Sequence, residues 1–361
     1  QLSNDPLAGA SFTHVGSLGA RAWRLQAGAL FTQSRINAAN FTNVLGRRGA
    51  LTASSLNTAT NLEEFVESQL ALSDRLTFVA GTTAAQTRRV SQRRAGSAPS
   101  YTRTYHNLSP KLGLRFDAPD FQLYANVSRS FEPPSFSETG ALAAPNRAQT
   151  ATTVELGTRG GRGSARWDLS LYQAQLRDEF LSLNDPAGTP LGTINADRTV
   201  HRGVEFSAEF DLLNPAAIAP IDPAAPRLML RGAWLWSRFR FDDDRTYRHN
   251  TLAGFPPHVV RAELTWETAR GWYAGPHCEW VPQRAPVDHA NTLFADPYAL
   301  CSFRLGRRTA RGLSFFAEIR NASDRSYAAT TGVIADARGQ DQRQFLPGDG
   351  RSFYTGAEYR W

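Results

Sequence analysis

The stretch that decides the fold is Arg351-Ser-Phe-Tyr-Thr-Gly-Ala-Glu-Tyr-Arg-Trp361, at the end of the chain. At a period of two, one face carries Phe353, Thr355, Ala357, Tyr359 and Trp361, and the other carries Ser352, Tyr354, Gly356, Glu358 and Arg360. A strand with one apolar, aromatic face and one polar face is typical of a β-barrel in lipid. Aromatic rings such as that of Trp361 are frequent at the membrane interface. The stretch therefore predicts a closing barrel strand whose Phe353, Tyr359 and Trp361 face lipid.

The composition agrees with a barrel. The chain has 361 residues, but no linker or shift in composition divides it into soluble domains. No run of about 18 apolar residues is present, which excludes membrane-spanning helices. Aromatic residues are frequent, with 21 Phe, 10 Tyr and 8 Trp, as two interfacial girdles require. The sequence predicts an all-β fold, an antiparallel transmembrane β-barrel.

Several function classes are disfavoured by the distribution of charge. The formal net charge is +7, but the arginines form no basic helix or stripe, so no nucleic-acid partner is expected. The seven histidines make no metal-ligand spacing, and the acidic run 242–244 is expected to be a solvated loop. No catalytic set or cofactor motif is recognisable, so we expect no catalytic residues, no metal and no cofactor.

Alternating segments recur along the chain, separated by turns rich in Pro and Gly. Their lengths suit strands that cross a membrane at a tilt. About 14 strands are predicted, over residues 20–33, 60–72, 75–89, 103–117, 120–131, 150–159, 164–180, 198–212, 226–242, 255–269, 271–282, 297–308, 312–322 and 351–361.

The gaps between these segments are alternately short and long. Long gaps are predicted at 34–59, 90–102, 132–149, 181–197, 243–254, 283–296 and 323–350. The Pro- and Ala-rich stretch 213–225 is the exception, because it is long but falls on the short-turn side. Short periplasmic turns and long extracellular loops give this pattern in outer-membrane barrels. The chain is therefore expected in the outer membrane of a Gram-negative bacterium, in contact with outer-membrane lipid.

Several strings, taken in order, share the pattern of one known family. They are Asn107-Leu-Ser-Pro-Lys-Leu-Gly-Leu-Arg115, Leu123-Tyr-Ala-Asn-Val-Ser-Arg-Ser-Phe-Glu-Pro-Pro134, Thr153-Val-Glu-Leu-Gly157, Asn195-Ala-Asp-Arg198 with Arg202-Gly-Val-Glu-Phe206, Ile319-Arg-Asn-Ala-Ser-Asp-Arg-Ser-Tyr327 and Phe345-Leu-Pro-Gly-Asp-Gly-Arg-Ser-Phe353. Together they resemble the carboxy-terminal barrel of TonB-dependent outer-membrane receptors, which import siderophores and other scarce nutrients. The resemblance covers residues 60–361.

This resemblance implies a receptor for a ferric siderophore or a similar metal chelate, energy-coupled through its partner TonB. Transporters of this type have 22 strands, so residues 1–361 would be part of such a barrel, without plug domain and TonB box. The chain is then expected to be a fragment or a truncated gene product, and without the plug it should not drive energised transport alone. Closure of the 14 strands on themselves stays open. The alternatives are a passive pore or structural barrel and, less favoured, an outer-membrane enzyme.

Candidate ligand-binding residues lie near the expected extracellular ends of the strands. Arginine forks hold carboxylates with two hydrogen bonds, which suits anionic metal chelates. Loop histidines and carboxamides can add further contacts. The candidates are Arg238, Arg240, Arg245, His249, Asp288, His289 and Asn291.

The only two cysteines, Cys278 and Cys301, are predicted to face each other. They lie on the predicted strands 271–282 and 297–308, at equal distances from the middle of the connecting loop. A symmetric hairpin therefore places them directly opposite, on the apolar face. Opposed β-carbons lie about 4.5–5.5 Å apart, so a disulfide needs local pinching of the pair. The oxidising periplasm permits that bond.

Overall fold

The computed structural model describes residues 2–138, 147–215 and 225–361, which are built almost entirely from β-strands. The described residues contain no helix that is long and apolar enough to cross a membrane. In chain order the strands are β1 (Leu2–Asn4), β2 (Leu7–Leu18), β3 (Arg21–Val44), β4 (Arg47–Ala71), β5 (Leu76–Ala95), β6 (Tyr101–Asp117), β7 (Phe121–Glu132), β8 (Gln149–Arg162), β9 (Ala165–Asn184), β10 (Pro190–Asp211), β11 (Arg227–Phe241), β12 (His258–Glu267), β13 (Trp272–Val281), β14 (Ala285–Pro286), β15 (Phe294–Ala295), β16 (Tyr298–Arg307), β17 (Gly312–Arg320), β18 (Ala328–Thr331), β19 (Phe345–Pro347) and β20 (Ser352–Arg360).

One antiparallel sheet of 16 strands forms the body of the molecule. β1 and β2 pair with the same edge of β3, β1 with residues 35–37 and β2 with residues 21–32, so together they occupy one position in the sheet. From β3 to β13 each strand pairs with the next, and β16, β17 and β20 continue the order. β14–β15 and β18–β19 are small two-stranded sheets within the loops. Within the described residues, β2 and β20 each have one partner strand, so the barrel wall is an open meander.

All 14 predicted strands are present in the sheet, and its two other strands, β1 and β2, were missed. β1 has only three residues, and in β2 small residues such as Gly9, Ala10 and Gly16 obscure the alternation of apolar and polar side chains. The order of pairing between sequence neighbours is confirmed throughout the sheet. The missed strands raise the number of sheet positions by one without changing the fold class.

Three of the predicted long gaps are mostly strand. β3 and β4 run through 34–59 and are joined at Leu45 and Gly46, whose φ angles are 50° and 82°. Two successive positive φ angles are typical of a tight hairpin turn. β5 and β6 extend into the predicted loop 90–102, and β9 and β10 extend into the predicted loop 181–197. The prediction of loops there was wrong because these strands continue, with polar side chains, beyond the apolar segment. Parts of 132–149 and 213–225 lie outside the described residues.

The sheet has two distinct faces, which we call the polar face and the apolar face. On β20, Tyr354 and Glu358 share the polar face with the buried Glu318 of β17, since Tyr354 is paired with Glu318 in the register. Phe353 and Tyr359 are paired with Ile319 and Leu313 and are strongly exposed on the apolar face. The predicted facing of this strand is confirmed. Exposed Leu, Phe, Val and Trp side chains cover the apolar face of the other strands as well.

The register also places the two cysteines as predicted. Cys278 of β13 is paired with Cys301 of β16, and their Cα atoms are 4.2 Å apart. The two Sγ atoms are joined as a disulfide in the structure. The pair shares its face with Trp280 and Phe303, both exposed. A covalent link thus crosses two neighbouring strands on the apolar face.

A small hydrophobic core lies at the loop end of β9–β11 and not inside the sheet. It consists of Leu181, Ala196, Phe241 and Leu252, with Tyr247 packed against it. Leu252 comes from the loop that follows β11, so this loop folds back over the strand ends. The core provides a fixed base for the side chains described next.

Candidate ligand-binding site

Asp288 fixes the loop between β13 and β16 and is fully buried. Its carboxylate accepts hydrogen bonds from the backbone N–H of Thr292 (2.8 Å), Leu293 (2.9 Å) and Ala337 (3.0 Å), and from the Thr292 hydroxyl (2.6 Å). Burial acts to raise the pKa of Asp288, but these donors outweigh it and lower the pKa below the ordinary value. Because both carboxylate oxygens already accept hydrogen bonds within the protein, Asp288 joins two loops and is not available to bind a ligand.

Asn291 has a similar structural role, since its side chain joins two loops by hydrogen bonds. Its side-chain oxygen accepts from Thr251 N–H (2.8 Å), and its amide donates to Thr251 C=O (2.9 Å). Asn250 donates from its side chain to His289 C=O (3.0 Å). These bonds hold the loop after β11 against the loop after β13. Because its amide is used within the protein, Asn291 positions His289 and does not itself reach into open space.

His289 is the candidate residue with unused bonding capacity. It is 2% exposed, and its ring packs against Phe241 and Tyr247 at centroid distances of 5.3 and 5.4 Å. Nδ1 accepts from Ala253 N–H (3.4 Å), which leaves the proton on Nε2. Among residues 2–138, 147–215 and 225–361, buried Nε2 has no hydrogen-bond partner. Burial lowers the pKa of His289 to about 4, so the imidazole is neutral at pH 7.

His289 lines a cavity of about 390 Å³ at the loop end of the sheet, which we call the loop cavity. Its walls come from β9, from the loops after β11 and β13, and from β18. Other polar groups in its lining are Glu179, Gln283, Asp296 and Tyr298. A buried, unpaired N–H donor in a mixed polar and apolar cavity is suited to an acceptor oxygen of a ligand.

Glu179 supplies a buried negative charge to the wall of that cavity. It is buried, and its carboxylate accepts from the Thr199 hydroxyl and contacts His201 Nε2 at 3.2 Å. Asp178, with a φ of 59°, reverses the alternation of β9 and turns Glu179 toward the polar face. His201 is stacked on Phe239 at a centroid distance of 4.2 Å. The site therefore contains a held carboxylate beside two histidines.

A second cavity, the wall cavity, lies along the polar face and measures about 570 Å³. Its charged lining comes from neighbouring strands and forms cross-strand pairs, such as Arg261 Nε with Glu279 (2.8 Å) and Arg231 Nη1 with Glu263 (3.1 Å). Tyr298 of the loop cavity contacts Tyr327 of the wall cavity at a ring distance of 4.9 Å. The two cavities thus adjoin along the polar face.

Two sequence motifs near the carboxy terminus, Asn-x-x-Asp-x-x-Tyr and Pro-Gly-x-Gly-Arg, are held together by hydrogen bonds and a ring contact, and we call this arrangement the clamp. Asn321 has a φ of 46° and donates from its side chain to Arg325 C=O (2.8 Å) and Asp349 C=O (3.1 Å). The carboxylate of Asp324 accepts from Arg351 N–H (2.8 Å). The Tyr327 ring lies against Gly348, where an added Cβ would be 2.1 Å from Cζ. The Asn-x-x-Asp-x-x-Tyr string therefore holds the Pro-Gly-x-Gly-Arg string at the edge of the wall cavity.

The structure does not bring all the predicted site residues together. Arg238 and Arg240 share the apolar face of β11 with Trp234 and Trp236, away from both cavities. The side chain of Arg245 is 94% exposed in the loop after β11, 4.0 Å from Asp197. His249 lies in the same loop, where Nδ1 accepts from Asp243 N–H (3.3 Å). Only Asp288, His289 and Asn291 form one cluster.

Sequence reasoning missed the residues that line the two cavities from the strands. They include Glu179, Arg231, Arg261, Glu279 and Arg320. The signal for Arg231 and Arg261 was available, since both alternate with apolar residues on their strands. The turn of Glu179 depends on the left-handed conformation of Asp178, which no pattern indicated. No group of three His, Cys, Asp or Glu side chains able to hold a metal occurs among the described residues.

The fold is that of an antiparallel β-barrel wall. Residues 1–322 match the family model described as TonB dependent receptor-like, beta-barrel. The chain therefore belongs to the TonB-dependent receptor β-barrel family.

Solved structures with the same fold are transporters and receptors. The ferric citrate transporter FecA in the unliganded form is similar at a TM-score of 0.75 and 14% identity. The siderophore receptor PiuA from Acinetobacter baumannii matches at 0.74 and 13%, and the copper transporter OprC at 0.71 and 15%. The alignments cover 98% of this chain and 54%, 55% and 56% of those chains. The chain thus spans about half the length of these structures, and the similarity shows the fold.

Proposed function

We propose that this chain is part of an outer-membrane receptor of a Gram-negative bacterium that takes up a ferric siderophore or a similar metal chelate. Uptake is energy-coupled through TonB in the protein that contains the chain. The chelate enters from the loop side and contacts the loop cavity first. The partners are therefore the chelate, TonB and the surrounding outer-membrane lipid, and no reaction is catalysed.

The observation that carries this proposal is that His289 lines the loop cavity and that its buried Nε2–H has no hydrogen-bond partner among the described residues. Siderophore complexes present carboxylate, catecholate or hydroxamate oxygens, each able to accept this hydrogen bond. A neutral imidazole donates without electrostatic preference for the charge of the complex, and the wall cavity beyond it carries charges of both signs as cross-strand pairs of arginine and glutamate. Support also comes from the names of similar structures, among them a ferric citrate transporter and a siderophore receptor.

A direct test is uptake of ⁵⁵Fe chelates by cells that lack their own iron receptors and express the protein containing this chain. We expect uptake that saturates and that stops when TonB is deleted. His289→Phe fills the space but removes the donor, and it should raise half-saturation about tenfold or more, as expected for a lost hydrogen bond to a charged acceptor. His14→Phe, on the apolar face of β2 opposite Leu25, is the matched control and should leave uptake unchanged.

Two results would contradict the proposal. Uptake that is linear in concentration and independent of TonB would identify the alternative, a passive pore. Unchanged half-saturation in His289→Phe, with normal abundance in the membrane, would place the ligand outside the loop cavity.

A further inference from the structure

The regular part of β9–β11 carries charge of one sign only on its apolar face. In register, Arg177, Arg198, Arg202, Arg238 and Arg240 lie on this face, whereas the acidic residues on the loop-distant side of the irregularity at Asp178 and Asp197 all lie on the polar face, namely Asp168, Glu205, Glu209 and Asp211. The polar face of the same strands contains both signs, for example Arg166 with Glu209 and Arg227 with Asp211. A general excess of arginine in the sequence therefore does not account for the asymmetry.

The arginines are arranged in directly opposed pairs. Arg202 is the register partner of Arg238, and Arg177 is the partner of Arg198. Like charges directly opposite each other on neighbouring strands destabilise a sheet. None of the five has an ion pair within the described part of the chain, and Arg202 bonds to the neutral Gln173 (2.7 Å). An external anion would remove this repulsion.

Nearby carboxylates do not neutralise the group. Asp178 is paired with Arg147 of the preceding loop at 2.6 Å, and Asp197 lies 3.9 Å from the same guanidinium. Asp242 follows β11 beside Arg198 but forms no ion pair with it among the described residues. Arg129 of β7, which has no ion pair with any residue that the structure describes, adds a further cation in the same row, through the register partners Thr152, Gln175 and Val200.

Along the strands, the arginines lie at the level where the apolar band of the sheet ends. Below Arg202 on β10, the apolar face continues through Val204, Phe206 and Phe210 to the exposed Leu212. Ten positions at about 3.3 Å each, on a strand tilted by about 40°, span roughly 25 Å. This is about the height of the apolar band of an outer-membrane barrel. Arg202 and the other four therefore lie where lipid headgroups begin, on the side of the long loops.

We infer that these five arginines bind the phosphorylated headgroup of a lipid of the outer leaflet, with its acyl chains on the apolar surface below. Guanidinium groups bind phosphate oxygens with two parallel hydrogen bonds, and two opposed pairs suit a headgroup with more than one phosphate. Trp234 and Trp236 lie directly below Arg238 on the same face and provide the interfacial rings. This inference rests on the outer-membrane location given above.

The test is lipid binding by the purified, full-length protein in detergent, measured by native mass spectrometry. The probe is a bis-phosphorylated, acylated glucosamine disaccharide, compared with the same lipid after removal of both phosphates. The double variant R202Q/R238Q should weaken binding about thirtyfold, from about fivefold for each arginine near a charged lipid surface. The control R75Q/R311Q removes the same charge from two short turns at the opposite end of the sheet and should change binding less than twofold.

Each outcome decides the question. Equal binding by R202Q/R238Q and the parent protein would overturn the inference, as would equal affinity for the dephosphorylated lipid. Displacement of the lipid by millimolar inorganic phosphate would indicate a phosphate site and not a lipid site. The assay measures no uptake, so a failure of chelate transport would leave this result independent. Unchanged migration of the unheated variants on gels confirms that the barrel is folded.

Discussion

The buried carboxylate of Glu318 provides the sharpest test of how the polar face is stabilised. Its side chain is 1% exposed and accepts from Arg304 Nη2 (2.8 Å) and Arg320 Nε (3.0 Å), with His277 Nε2 at 3.4 Å. The chain contains a matched control on the neighbouring strand. Glu358 binds Arg360, two residues further along the strand as Arg320 is from Glu318, at 2.9 Å, but both side chains of this pair are 58% exposed.

Removal of one partner from a buried ion pair costs roughly 3–5 kcal/mol. Arg304 and Arg320 are 44% and 49% exposed and regain water when the carboxylate is lost, so the smaller figure is the better guide. We expect Glu318→Ala to lower the free energy of unfolding by about 2–3 kcal/mol. Glu358→Ala removes an exposed pair and should leave the free energy of unfolding almost unchanged.

The assay is urea-induced unfolding of the full-length protein in phospholipid vesicles, followed by tryptophan fluorescence. The midpoint should fall clearly for Glu318→Ala, with an unchanged slope, and hardly at all for Glu358→Ala. Glu318→Gln should fall between the two because the amide oxygen still accepts one hydrogen bond. Equal losses in both alanine variants would refute the reasoning, since burial could then not be the cause of the difference.

Three further predictions concern the clamp, the cysteines and the loop cavity. Gly348→Val should prevent stable closure of the clamp and lower the unfolding midpoint, because its Cβ meets the Tyr327 ring. In the double variant that also carries Tyr327→Ala, the midpoint should be partly restored. Protein isolated without reductant should show no free thiol at Cys278 or Cys301 by maleimide labelling, and two labels after reduction would be expected only in the unfolded chain. The pKa of His289 is lowered from 6.5 to about 4 by burial, so the unfolded chain binds the proton more readily, and stability should decline as pH falls from about 6.5 to 4. His289→Gln should flatten the pH profile in that window, and an unchanged slope would show that another group titrates there.

The strands and their order could be predicted because the alternation of apolar and polar residues is set by the solvent on each side. Lipid requires apolar side chains at every second position, so β20 and its predecessors are visible in the sequence. β2 was missed because its small residues give no contrast between faces. The part of the β3–β4 hairpin within 34–59 was missed because strand beyond the apolar band has water on both sides, and no alternation is required there.

The candidate site could be predicted only in part. The string Val287-Asp-His-Ala-Asn-Thr292 placed three polar residues in one loop, and the structure keeps them together. The structural roles of Asp288 and Asn291 follow from hydrogen bonds to residues 337 and 251, which are distant in sequence. Arg238 and Arg240 illustrate the opposite case, since their charge suggested a binding site but the register of β11 assigns them to the apolar face.

By itself, the sequence determined the all-β class, the antiparallel order, the facing of the closing strand and the opposition of Cys278 and Cys301. These features depend on local periodicity and on the symmetry of a hairpin, both of which are read along one chain. Only the tertiary structure decided that His289 keeps an unpaired N–H while Asp288 is saturated, and that five arginines gather on the apolar face. Those properties depend on which strands and loops lie side by side, and hydrogen-bond partners and opposed charges across a sheet are fixed only by that packing.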